Sequence, residues 1–176
     1  MRKSLACLLI LLSTLSLSGC GGGGSSSGLD VYVADAPVDS VVDVVVTVTA
    51  IHVTGDNGTT DFVFPSPTPI DLFQYGQGGN SVFLLNNGTL AAGNYHSISL
   101  DIDAKQGTTD SYLILSTDTA TTPEHSLYIP TGDPTTISAP INFTMQKDGS
   151  VAITVDFDLR ASIIQDPSNP ASYILR

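Results

Sequence analysis

The sequence predicts an all-β protein, an antiparallel β-sandwich with at most one short helix. Three observations carry that expectation. Several short segments rich in Val, Ile, Thr, Phe and Tyr alternate apolar and polar residues with a period of two. Turn-forming residues, many of them Gly, Pro, Asn and Asp, recur between those segments. No stretch sustains a 3.6-residue period; Ile70 to Tyr75 is expected to form a single helical turn.

The segments follow in order. Leu29 to Ala34 places Leu29, Val31 and Val33 on one face, and Asp35-Ala36-Pro37 ends it. Val41 to Thr54 is a long β-branched run. Strict alternation puts Val42, Val44, Val46, Val48 and Ala50 on one face and Asp43, Val45, Thr47, Thr49 and Ile51 on the other. Asp56-Asn57-Gly58 is a turn signal, so Asp61 to Phe64 is expected to return as a hairpin partner. Pro65, Pro67 and Pro69 exclude a central strand after it. Val82 to Leu85 is a short apolar segment. Gly93 and Tyr95 open a strand from His96 to Ala104 with Ile98, Leu100 and Ile102 inward. Ser111 to Ser116, Ser126 to Ile129 and Ala139 to Gln146 read as further strands, and Lys147-Asp148-Gly149-Ser150 as a hairpin turn. Val151 to Arg160 alternates most cleanly, with Val151, Ile153, Val155, Phe157 and Leu159 inward. Tyr173 to Arg176 begins a last strand.

The N-terminus has a different composition. Arg2 and Lys3 precede an apolar stretch, Leu5 to Leu17, too short for the ~20 apolar residues of a spanning helix. Small Ser18 and Gly19 follow, then Cys20. Leu17-Ser18-Gly19-Cys20 resembles the lipobox of bacterial lipoprotein signals. That resemblance implies cleavage between Gly19 and Cys20, a diacylglycerol on the Cys20 thiol, and acylation of the new amine by a chain such as palmitate. Two or three acyl chains would anchor stably where one binds only marginally. Gly21, where an Asp would favour the inner membrane, implies outer-membrane placement in a Gram-negative source. Residues 1–19 are thus expected to be a signal peptide and residues 20–28 a lipidated Cys with a Gly/Ser linker. Residues 29–176 follow as one β-sandwich domain. The eight linker residues from Gly21 to Gly28 would span roughly 16 Å as a coil.

Charge and cysteine usage exclude several functions. Two of the six basic residues leave with the signal, so the processed chain carries four against 17 Asp and Glu. Such a surface repels nucleic acid, and membrane contact is expected through the lipid alone. Cys7 leaves with the signal and Cys20 takes the lipid. The domain therefore has no disulfide, thiolate metal site or Cys nucleophile. The fold must be held by its core.

Four stretches together carry a second resemblance. They are Asp35-Ala36-Pro37-Val38-Asp39, Ala92-Gly93-Asn94-Tyr95, Asp156-Phe157-Asp158-Leu159-Arg160-Ala161-Ser162-Ile163 and Tyr173-Ile174-Leu175-Arg176. They resemble the bacterial domain of unknown function family 4382 over residues 29–176. Ala161 stands where a Lys is common. The chain stops at Arg176, where relatives continue through Pro into another strand, so a C-terminally truncated fragment is expected. The turn before Tyr95 also resembles strand openings in transthyretin-like modules, and the architecture expected is transthyretin-like or immunoglobulin-like. The family implies an exported β-sandwich, often lipid-anchored, with no known activity.

Candidate sites are few. His52, His96 and His125 sit in no catalytic frame, and His52 and His96 fall within strand patterns. Asp101 with Asp103, and Asp156 with Asp158, each place two carboxylates on one strand face, roughly 6.8 Å apart. Oxygen-rich pairs of this kind suit Ca²⁺. Arg160, by alternation, shares the face of Asp156 and Asp158 and is the expected counter-charge there. Lys105 takes the position of a third ligand beyond Asp101 and Asp103. Six Tyr and no Trp make a weak platform for a glycan. Asn57-Gly58-Thr59, Asn87-Gly88-Thr89 and Asn142-Phe143-Thr144 match glycosylation acceptors, idle behind a bacterial signal. The reading is a non-enzymatic, lipid-anchored envelope protein acting in binding or envelope structure, its protein or glycan partner unspecified. A Ca²⁺- or carbohydrate-binding module is the alternative, and a hydrolase with a spatially assembled Ser-His-Asp triad the third.

Overall fold

The computed structural model describes residues 28–35, 40–73, 82–119 and 125–176. The expected signal, Cys20, the linker up to Ser27, and Ala36 to Asp39 lie outside them. Eleven strands and one helix follow: β1 Gly28–Asp35, β2 Val41–Gly55, β3 Gly58–Asp71, β4 Val82–Thr89, β5 Gly93–Asp103, β6 Tyr112–Leu115, β7 His125–Tyr128, β8 Thr136–Met145, β9 Ser150–Phe157, α1 Leu159–Ser162, β10 Ile163–Gln165 and β11 Ser172–Leu175. They form a three-stranded sheet, β4-β1-β9, and an eight-stranded one, β10-β11-β7-β6-β2-β5-β8 with β3 on β2. The all-β sandwich-like fold expected from the alternation is present.

One apolar layer joins the sheets. Leu29, Val31 and Val33 of β1 and Ile153, Val155 and Phe157 of β9 meet Val44, Val46, Val48, Ile51 and Val53 of β2 and Ile98, Leu100 and Ile102 of β5. Strand β2 organises the larger sheet. Its second half pairs with β5, from Thr47↔Asp103 to Gly55↔Tyr95, and its first half with β6, from Val41↔Leu115 to Val45↔Tyr112. Buried Ser111 bridges the junction: its Oγ accepts from the Thr47 N–H at 3.0 Å and donates to the Asp103 carbonyl at 2.7 Å.

Five details differ from the sequence expectation. First, the sheets are mixed. β9 runs parallel to β1 along its whole length, and β11 parallel to β7. The Lys147–Ser150 turn crosses from β8 in one sheet to β9 in the other, and so is not a hairpin turn. Asp148 takes φ 60° there, a conformation Asp tolerates better than most residues. Second, β3 runs past Phe64 to Asp71 and carries Pro65, Pro67 and Pro69, which keep, as expected, out of a central strand. This strand pairs with β2 alone among the described residues, so a missing N–H can face the open side. Between Val48↔Thr68 and Ala50↔Val63 the ladder breaks, leaving Phe64 to Pro67 opposite Thr49.

Third, alternation along β2 changes phase. The register shifts between Val48 and Ala50 against both β3 and β5. Ile51, which strict alternation puts on the face opposite Val44, Val46 and Val48, is fully buried with them in the core, and His52 turns outward with Thr54. A bulge inserts one residue, and a one-residue slip exchanges the two faces of everything beyond it. Fourth, the strand expected over Val151 to Arg160 stops at Phe157. Asp158 accepts the Ala161 N–H at 3.1 Å and caps α1, the competition with the ladder that Asp side chains offer. Arg160 therefore lies on a helix. It does not share a strand face with Asp156 and Asp158. Fifth, strand β3 extends through Asp71, where a helical turn from Ile70 was expected. Leu72 and Phe73 have helical backbone, the Phe73 N–H bonding Asp71 Oδ1 at 3.0 Å, and Gln74 and Tyr75 lie outside the described residues.

At the opposite end of β2, Gly55 lies against the first residues of β5. A Cβ on Gly55 would come 2.2 Å from the Asn94 carbonyl oxygen and 2.9 Å from the Tyr95 ring. Tyr95 stacks on Phe143 with ring centroids 5.1 Å apart and donates its hydroxyl to the Ala91 carbonyl at 2.9 Å, pinning the start of β5.

The phase change is testable by denaturant unfolding. Ile51→Ala should cost about 2–5 kcal/mol, the range for truncating a buried aliphatic side chain. Val63→Ala, at a position 73% exposed, should stay within about 0.5 kcal/mol of the parent. Strict alternation, with Ile51 outward, would make both changes small.

Candidate functional site

The phase change assembles a polar array on the outer face of β3, β2, β5 and β8. Register places Asp61 and Ser99 on either side of His52, and Ser138 beyond Ser99. One step along, Asp101 lies between Ala50 and Thr136. His52 Nδ1 lies 2.7 Å from Asp61 Oδ1, and its Nε2 lies 3.0 Å from Asp101 Oδ2. Thr136 donates its hydroxyl to Asp101 Oδ1 at 2.6 Å. The hydroxyls of Ser99 and Ser138 meet at 2.9 Å, as do those of Thr54 and Thr59. Four strands are thus cross-linked by side chains as well as by their backbone.

The electrostatics follow from these contacts. The hydrogen bond to Asp61, and then that to Asp101, raise the His52 imidazole above its ordinary value against the opposing effect of burial. Burial raises Asp101, but the bonds from Thr136 and His52 outweigh it and hold that carboxyl below its ordinary value. Both ring nitrogens of His52 are directed at carboxylates and not at the neighbouring Ser99 hydroxyl. The geometry is that of a bridge between carboxylates, unlike the base-and-orienter pair of a hydrolytic triad.

The other residues singled out in the sequence are dispersed. Asp103 pairs with Lys105 at 2.7 Å, so the two carboxylates of Asp101 and Asp103 have separate partners. Between them lies a shallow cleft of about 250 Å³ that Thr49 and Thr135 also line. Asp156 is exposed by surface area, yet partial desolvation by neighbouring atoms, and then the nearby charge of Asp158, raise its pKa. Arg160 borders an open groove of about 340 Å³ with Val41, Leu113, Leu115, Leu159 and Tyr173. His96 is exposed. His125 faces Asp118 Oδ2 at 3.2 Å and the Ala171 carbonyl at 3.2 Å, with Tyr173 edge-on. Among the described residues, no group of three or more His, Cys, Asp or Glu is arranged to hold a metal ion. Gly19 and Cys20 lie outside the described residues.

In the sequence Asp61 reads only as a hairpin residue. The turn itself pointed further: pairing that starts at Gly55↔Gly58 reaches His52↔Asp61 by counting back three residues. No local signal marks Thr136 or the link to Asp101.

The family model described as "Domain of unknown function (DUF4382)" matches residues 26–176. The chain belongs to the DUF4382 family. No curated protein and no solved structure matches it.

The C-terminal part of this DUF4382 domain carries a second polar contact that the sequence did not announce, and this one is buried. Asp166, in the turn between β10 and β11, is only 3% exposed. Its Oδ1 accepts the Ser168 hydroxyl at 2.7 Å and the Ser168 N–H at 2.8 Å, and its Oδ2 accepts the buried Tyr128 hydroxyl at 2.6 Å. The Ser168 hydroxyl, then Tyr128, then the Ser168 amide hold the Asp166 carboxyl down to about 2. Asp166 in turn raises the Tyr128 phenol. The contact fastens β7, which lies between β11 and β6 in the sheet order, to the β10–β11 turn.

A carboxyl depressed by folding contributes stability that is complete above its unfolded pKa of about 3.9. That contribution is lost as pH falls toward about 2. Ser168→Ala and Tyr128→Phe should each raise the Asp166 pKa, read by carboxyl NMR. Each should also move the midpoint of acid unfolding to higher pH. An unchanged Asp166 titration in both variants would refute the contact.

Proposed function

We propose that this chain is a lipid-anchored protein of the bacterial cell envelope, whose single DUF4382 domain serves binding or envelope structure without catalysis. The observation that carries the reading is Leu17-Ser18-Gly19-Cys20 followed directly by a Gly/Ser run that reaches Gly28, the first residue of β1. A thiol at the cut site takes the lipid, small neighbours admit the peptidase, and the run holds the domain near the membrane while leaving it free to turn. The non-catalytic half of the reading draws on the His52 bridge, in which both ring nitrogens are engaged by Asp61 and Asp101. It draws also on the acidic surface, which suits a solvated exported domain.

Two measurements test it. Intact-protein mass from the bacterial membrane should place acyl chains on an N-terminal Cys20, and Cys20→Ala should release the protein from the membrane fraction. Retention of the Cys20→Ala protein with an unchanged N-terminus would remove the lipoprotein reading. Millimolar Ca²⁺ should leave the melting temperature of residues 28–176 unchanged. A saturable rise that EDTA reverses and Asp156→Asn or Asp101→Asn abolishes would replace it with a cation-binding module.

A further inference from the structure

The His52 bridge ties together strands that differ in how firmly they are otherwise held. Strand β5 is paired on both sides, by β2 and β8. Strand β3 pairs with β2 alone among the described residues, and its ladder is interrupted between Val63 and Thr68. The arm from Gly58 to Val63 is thus an edge segment joined to the sheet by a short ladder. Phe62 packs against the core, and among the described residues the arm has two polar side-chain ties, Thr59 to Thr54 and Asp61 to His52.

The second tie depends on protonation. An ionised carboxylate only accepts hydrogen bonds, and a neutral imidazole has a single N–H. At 2.7 and 3.0 Å, both carboxylate contacts of His52 are attractive only when the ring carries two protons. Loss of one proton leaves a lone pair facing a carboxylate oxygen. Asp101 keeps its hydrogen bond from Thr136, whereas among the described residues no hydrogen bond other than that of His52 reaches the Asp61 carboxylate, so the geometry directs the loss toward β3. We propose that Asp61, His52 and Asp101 form a pH-operated latch, which holds the Gly58–Val63 arm of β3 to the sheet while His52 is doubly protonated and loosens it when the proton leaves.

The surrounding groups leave His52 as the titrating member near neutrality. On β5 it faces Ser99 and Asp101, with Asp103 further along held by Lys105. On β8 the nearest outer residues are Ser138 and Thr136, and on β3 they are Thr59, Asp61 and Val63. Along β2 itself the neighbours on this face are Ala50 and Thr54, and Asp56 at the turn bonds Asn94. The folded His52 is raised above its ordinary value. The latch therefore contributes fully below about pH 6.5, while the carboxylates remain ionised. Its contribution falls as pH rises through the higher folded value. The lowered Asp101 keeps its end charged well into acid.

The experiment is a pH series from about 5 to 9, following the His52 ring by NMR and the amides of residues 58–63 by hydrogen exchange. His52 should titrate above its ordinary value of about 6.5, and exchange of the arm, corrected for its intrinsic pH dependence, should rise severalfold across that titration. Asp61→Asn should lower the His52 titration and flatten the pH dependence of the arm. His52→Gln should flatten it as well. A ring that titrates at or below its ordinary value overturns the latch, as does pH-dependent loosening that persists in His52→Gln. Should His52→Gln fail to fold, the ring titration compared between the parent and Asp61→Asn decides the matter.

Discussion

The one-residue slip at Thr49 and Ala50 is the constraint on which the rest of the large sheet depends. Before it, Val44, Val46 and Val48 face the core; after it, Ile51 and Val53 do. A strand of fifteen residues that kept strict alternation would put His52 into the apolar layer and Ile51 into water. Burying an imidazole there would cost more than the bulge, because a buried polar group needs partners and the layer is built of Val, Ile and Leu. The register shift appears against both neighbours, so β3 and β5 share the same break. Thr49 marks it, donating its hydroxyl to the Asp101 carbonyl at 3.3 Å.

An acidic chain with few cations must manage its carboxylates locally. Several of them are held by hydroxyls, backbone amides and His52. Asp101 is served by His52 and Thr136, Asp166 by Ser168 and Tyr128, and Asp158 by the Ala161 amide. Asp118 accepts the Leu115 N–H at 2.8 Å and faces His125. Lys105 on Asp103 is a Lys pairing of the common surface kind. Hydrogen bonds to a carboxylate are roughly twice as strong as neutral ones and do not fade with salt as exposed ion pairs do. Where no such donor is near, the carboxyl shifts upward, as burial and the charge of Asp71 do to Asp43.

The sandwich closes by crossing between sheets. The Lys147–Ser150 turn carries the chain from β8 to β9, and β9 then lies parallel to β1, where the Gly28 N–H bonds the Gly149 carbonyl at 3.1 Å. The chain thus enters the domain beside a crossing turn, with Thr89 of β4 on the other side of Gly28. Membership of the DUF4382 family spans this whole unit, from residue 26 to 176. Strand β11, whose pairing the sequence left open, lies between β7 and β10.

The sequence alone determined the all-β class, the place of most strands and the inward residues of β1, β5 and β9. Those follow from local alternation, a property of consecutive side chains. It also carried the hairpin at Asp56 and Asn57, and through it, for anyone counting pairs, the contact of His52 with Asp61. Tertiary structure decided the rest. Whether β9 would run beside β8 or cross to β1, whether Asp158 would stay in a ladder or cap a helix, and where β2 would slip were settled by competing partners. So were the contacts of His52 with Asp101 and of Tyr128 with Asp166, which join residues 49 and 38 positions apart. A hydrogen bond between residues so far apart leaves no periodic trace in the chain, because nothing but the packed sheets brings its ends together.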